Sequence, residues 1–158
     1  VDAPSEKSLD ILPSDEKVNS ALAEIQDAVS IAREDGDVLF LDQRQLLTFG
    51  YISDLPLVPE YEKKVLMNQA LSADVEYFHQ FYKDLAAGRF SLIVSEKLYT
   101  SIKNSSFEFG EENNAWVTWV AEPILCYYKT TRMSNLNLNS VGVQLLIPRE
   151  TPVDCQLP

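Results

Sequence analysis

Two short polar runs directly follow the two most apolar, β-rich stretches of the chain, and they hold its best candidates for chemistry. Asp42-Gln43-Arg44-Gln45 follows Val38-Leu39-Phe40-Leu41, and Ser95-Glu96-Lys97 follows Phe90-Ser91-Leu92-Ile93-Val94. An arginine fork can clamp a phosphate or carboxylate, and carboxylates accept hydrogen bonds from hydroxyls. In an open α/β sheet, ligands bind outside the carboxyl ends of the strands. If the two apolar runs are neighbouring parallel strands, Asp42, Arg44 and Glu96 share one rim and form a ligand-binding candidate. The same three charges also suit a network that only pins the loops. Tyr61-Glu62-Lys63-Lys64 is a second polar patch, and it reads more readily as the solvated first turn of a helix.

Other chemistries lack their signatures. No G-x-G-x-x-G follows either apolar run, and no G-K-[ST] or G-x-S-x-G occurs. His79 is the single histidine, which excludes a His-dependent triad and a two-His metal site; between Phe78 and Phe81 it reads as structural. Asp35-Gly36-Asp37 fits a helix-to-strand turn better than a calcium loop. Glu111 and Glu112 suit the positive end of a helix dipole. No metal and no cofactor are expected.

The two cysteines, Cys126 and Cys155, form no C-x-x-C pair, which argues against a zinc ribbon or thioredoxin-type site. Two readings stay open: separate thiols, or a bridge closing a loop of about 28 residues worth about 3 kcal/mol. Cys155 lies among Pro152, Asp154 and Pro158, where little would bury a thiol. That placement favours the bridge, and with it an oxidising compartment.

The elements that must position these residues follow from periodicity. Val18, Ala21, Leu22, Ile25, Ala28, Val29 and Ala32 mark one face of a helix. Ser14 or Asp15 caps its start, and Asp35-Gly36 ends it. Val38–Leu41 and 90–94 read as strands buried on both faces. Leu46-Leu47-Thr48-Phe49 reads as a further short strand. Pro59 opens a helix through Ala70. Ser72 caps another, with Val75, Phe78, Phe81, Tyr82 and Leu85 on one face and Gly88 past its end. Glu111-Glu112 open a helix that Pro123 stops, and Ile124–Lys129 and Val143–Ile147 are the last strands, around a polar loop at 135–139. The alternation predicts an α/β fold. We expect a three-layer sandwich with a small, mostly parallel sheet, helices on both faces and an antiparallel C-terminal edge. Residues 1–13 form a linker or arm, 14–150 a single domain and 151–158 a C-terminal tail.

Composition narrows the function. Against 13 Lys and Arg stand 24 Asp and Glu, a net charge of −11. Such a balance argues against nucleic acid and against a polybasic membrane-surface module. Residues 1–42 hold 11 acidic and 3 basic residues, a net −8, which reads as a solvated helix face. The longest apolar runs are far short of the roughly 20 residues a membrane span needs. The chain begins with Val1 and carries no signal peptide, so it reads as a processed chain or an excised fragment.

Several runs resemble a known family. They are Asp37–Gly50, Leu57-Val58-Pro59-Glu60-Tyr61-Glu62-Lys63-Lys64, Asp84-Leu85-Ala86 with Arg89–Val94, Glu112-Asn113-Asn114-Ala115-Trp116, and Pro123–Tyr128. Together, across residues 18–150, they resemble the C-terminal region of bacterial, including cyanobacterial, polytopic membrane proteins of the lipid-linked-sugar glycosyltransferase (mannosyltransferase) type. The resemblance implies a non-catalytic accessory domain on the extracytoplasmic face of a bacterial inner membrane. Its partners would be the membrane-spanning part of the same polypeptide and a sugar or lipid-linked acceptor. Any glycosyltransferase chemistry would belong to the membrane part, so no catalytic residue carries over. The alternative is a free-standing small α/β ligand-binding protein or enzyme using the strand rim.

Overall fold

The computed structural model describes residues 15–41, 58–131 and 143–158. Helix α1 (Asp15–Ala32) leads through a tight turn into strand β1 (Asp37–Phe40). A 3-10 turn (Pro59–Tyr61) precedes α2 (Lys63–Leu71) and α3 (Val75–Ala86), which feeds β2 (Phe90–Ser95). After a loop come α4 (Gly110–Trp116), a π-helical turn (Val117–Ala121), α5 (Glu122–Tyr127), β3 (Tyr128–Thr130) and β4 (Gln144–Pro148). The expected strand at 46–49 and the loop at 135–139 lie outside the described residues.

The fold is α/β, and its four strands run in the order β1-β2-β4-β3. β1 and β2 are parallel, whereas β4 pairs antiparallel with both β2 and β3. The sheet is therefore mixed rather than mostly parallel. The last two strands, consecutive in the chain, pair antiparallel with each other. The short β3, not the C-terminal strand, forms that edge.

Alternating strand residues serve two separate cores. Val38, Phe40, Leu92, Val94 and Leu145 pack with Ala21, Ile25 and Val29 of α1. Leu39, Leu41, Phe90, Ile93 and Leu146 face the other way, against Leu66 and Ala70 of α2, the aromatic stripe of α3, and Val120 and Ile124. Phe90 and Leu92 lie two apart yet face opposite cores. A register shift between the first two β1–β2 pairs, Asp37↔Phe90 and Val38↔Leu92, explains this, since one extra residue inverts the pleat.

Two helix boundaries differ from expectation. Asp74, not Ser72, caps α3: its carboxylate accepts the Tyr77 N–H at 3.1 Å, while Ser72 closes α2. Pro123 does not stop its helix. The chain stays helical to Tyr127, so residues 124–127 are not strand. In a regular helix the N–H of residue 123 would bond the Trp119 carbonyl, and proline has no N–H to give. The Tyr82 hydroxyl of α3 donates to that carbonyl at 2.7 Å. The π turn before Pro123 carries the Glu122 N–H back to Val117. A tertiary contact and a π-bulge together accommodate the proline.

Candidate functional site

The condition for the predicted rim is met in part. β1 and β2 are parallel neighbours with Phe40 opposite Val94, and the Leu41 N–H bonds the Val94 carbonyl at 2.9 Å. Their carboxyl ends share one edge, and Glu96 is exposed there. Asp42 and Arg44 lie outside the described residues. The second patch divides. Tyr61 is 3% exposed and packs inward, Glu62 is half-buried, and Lys63 and Lys64 are exposed. The Lys63 ammonium lies 5.8 Å from the centre of the Trp116 ring. His79 is exposed on α3.

The most organised polar site among the described residues lies at the opposite, amino end of the parallel pair. Asp37 opens β1, and Arg89 immediately precedes β2. Parallel pairing brings the two together, and the Asp37 N–H bonds the Arg89 carbonyl at 3.1 Å. Gly36 is required at this approach, because a Cβ there would stand 2.8 Å from that carbonyl oxygen. The Arg89 guanidinium then makes three ion pairs: Nε to Asp37 at 3.0 Å, Nη1 to Asp84 at 2.9 Å and Nη2 to Glu60 at 3.0 Å. Its carbon lies 5.7 Å from the Tyr61 ring centre and 5.2 Å from that of Phe90. One side chain thus joins β1, the 59–61 turn and the end of α3.

Tyrosines complete the cluster. The Tyr61 hydroxyl donates to Asp84 at 2.6 Å, and Gln80 donates to the other Asp84 oxygen at 3.1 Å. The Tyr77 hydroxyl donates to the Glu60 carbonyl. Tyr61 packs edge-on to Tyr77 and Phe90 and tilted against Phe81. Glu60, Tyr61, Tyr77, Gln80, Asp84 and Arg89 line an open cavity of about 380 Å³.

Electrostatics fix every protonation state that the surroundings perturb here. Burial alone would raise the pKa of Asp84, but the Tyr61 hydroxyl and the Arg89 guanidinium outweigh it and hold the carboxyl below its ordinary range. Burial would likewise lower Arg89, but Glu60, Asp84 and Asp37 outweigh it and raise it. Tyr61 is raised by burial and then by Asp84; Tyr77 is raised by burial and then by Glu60. Asp84 stays ionised, Arg89 charged and both tyrosines protonated at neutral pH. General acid–base work needs a group that titrates near the working pH, and none of these four does. The arrangement suits recognition: carboxylate lone pairs, a fixed cation and aromatic edges around one cavity.

The residues of this cluster were not predicted as a group. They are scattered over positions 37, 60, 61, 77, 80, 84 and 89, and no spacing rule links them. One signal was present: Asp37 and Arg89 are each the polar residue at the start of an apolar strand run, so parallel pairing had to juxtapose them.

Cys126 and Cys155 form a disulfide with Cα atoms 5.0 Å apart. The Val153 N–H bonds the Cys126 carbonyl at 3.0 Å, and Arg149 Nε donates to the Leu125 and Tyr128 carbonyls. The tail is therefore stitched along the end of α5. Among the described residues no cluster of three or more His, Cys, Asp or Glu is placed to hold a metal ion, and no helix is long and apolar enough to cross a membrane. Neither a protein-family model, a curated protein nor a solved structure matches the chain.

Proposed function

We propose that this chain is a non-catalytic accessory domain of a glycosyltransferase-like membrane protein, held on the extracytoplasmic face of a bacterial inner membrane. There it binds the sugar portion of an acceptor. The cavity around Arg89 is the observation that carries the binding reading. Asp84 and Arg89 stay charged, and the cavity presents acceptors and a cation beside tyrosine rings, which suits a polyhydroxylated ligand more than proton transfer. The disulfide supports the compartment, since such bridges persist where the surroundings are oxidising.

The test is an NMR titration of the oxidised protein with methyl α-mannoside and with a short-chain polyprenyl phosphate sugar. We expect amide shifts at Glu60, Tyr77, Gln80 and Asp84. Gln80→Ala should abolish them while changing stability by no more than about 0.5 kcal/mol, because Gln80 is exposed. Absence of any shift in folded protein sinks the reading. The parallel adjacency of β1 and β2 favours a second reading, a ligand binder using the carboxyl-end rim. Shifts at Glu96 with none at Gln80 would select it.

A further inference from the structure

A second cavity, of about 450 Å³, lies between the end of α5 and the C-terminal tail. Its walls come from two parts of the chain: Glu122, Leu125 and Arg149 from the body, and Val153, Asp154 and Gln156 from the tail. The volume falls within the range of small-molecule sites, roughly 300–1,000 Å³. The two cavities share no lining residue.

The tail side of this cavity exists because the tail is held. The Cys126–Cys155 bridge ties it to α5, and the Val153 N–H bonds the Cys126 carbonyl at 3.0 Å. Residues 151–158 are all exposed and lie in neither helix nor strand. A terminal segment of that kind stays ordered only where it is tied down. Arg149 is fixed on the other side. Its N–H bonds the Tyr127 carbonyl at 2.8 Å, and its Nε donates to the Leu125 and Tyr128 carbonyls at 2.9 and 3.1 Å. Its two terminal nitrogens carry no bond among the described residues. Glu122 and Asp154 line the same cavity, yet the guanidinium is ion-paired to neither. Opposite charges that share a cavity without pairing are groups a ligand can join.

We propose that this cavity binds a small zwitterion, an α-amino acid with an apolar side chain. Arg149 receives the ligand's carboxylate in the fork of its terminal N–H groups. Glu122 and Asp154 receive the ammonium, whose three donors can serve both carboxylates. Leu125 and Val153 supply apolar wall for the side chain. A simple anion would meet two carboxylates here, and a simple cation would meet the guanidinium; only a ligand with both charges satisfies the whole lining. The disulfide, in this account, builds the site. The proposal does not rest on the sugar-binding reading of the Arg89 cavity, and either can fail without the other.

An NMR titration of the oxidised protein with L-leucine tests it, beside isocaproate and isoamylamine, which each lack one of leucine's two charges. Leucine should shift the amides of Glu122, Arg149 and Asp154. Either fragment should bind at least about tenfold more weakly, since it forfeits a charged hydrogen-bonded contact. The double variant Glu122→Gln/Asp154→Asn should weaken leucine binding about tenfold as well. Its melting temperature should hold, because both side chains are exposed and asparagine accepts the φ of 54° at position 154. Cys155→Ser frees the tail and should abolish the leucine shifts while the amides around Arg89 keep their positions. The proposal is overturned if leucine moves none of these amides up to its solubility limit, or if either fragment binds as tightly as leucine. Wild-type affinity for leucine in the double variant or in Cys155→Ser would overturn it too.

Discussion

At the scale of single residues, Asp84 sets the pH response of the site. Its carboxyl is held below its unfolded value, so the stability it contributes is present above about pH 4 and is lost as the pH falls through the folded value. Asp84→Asn should lower the urea midpoint at neutral pH and flatten its decline as the pH falls below about 4. A decline as steep as that of wild type would remove Asp84 from the account. Residue chemistry was the least legible level of the sequence. Arg44 and Asp42 stood out because they are contiguous with a strand. Arg89 did not, because its partners come from three separate segments and only folding collects them.

At the scale of elements, the junction at Pro123 makes the sharpest claim. Tyr82→Phe removes the donor to the Trp119 carbonyl and should cost about 1–2 kcal/mol by chemical denaturation. In a Pro123→Ala background the chain regains an N–H, and the cost of Tyr82→Phe should shrink, a coupling that a double-mutant cycle reads directly. Equal costs in both backgrounds would show that the tyrosine and the proline act independently. The elements with a clear apolar period were legible: the face of α1, strands β1 and β2, and the face of α3 except Val75, which the first turn leaves 64% exposed. The helical path through Pro123 was not, because a local rule forbade what a distant hydroxyl and a π turn permit. The bulge opposite Asp37 was equally hidden, since Phe90-Ser91-Leu92-Ile93-Val94 reads as an unbroken strand.

At the scale of the whole molecule, the α/β class was legible from the alternation of elements, but the adjacency of β1 and β2 was only a condition of the rim, and the balance of the sheet was not legible. Strand direction depends on connections, and two of the three ladders proved antiparallel. The disulfide closes a separation of 29 residues. Cys155→Ser should lower stability by about 3 kcal/mol, and thiol titration of unreduced, unfolded wild-type protein should find no free thiol. Two free thiols would refute the bridge. The β1–β2 ladder, finally, has a consequence in time. Asp37 pairs with Phe90, so during synthesis from the amino end β1 emerges 53 residues before its partner. At ordinary rates of synthesis that is a wait of roughly 3–10 s. Throughout it, Val38, Leu39, Phe40 and Leu41 wait for the β2 strand they pair with among the described residues. They wait attached to a segment of net charge −8, and like charge of that size opposes pairing between chains.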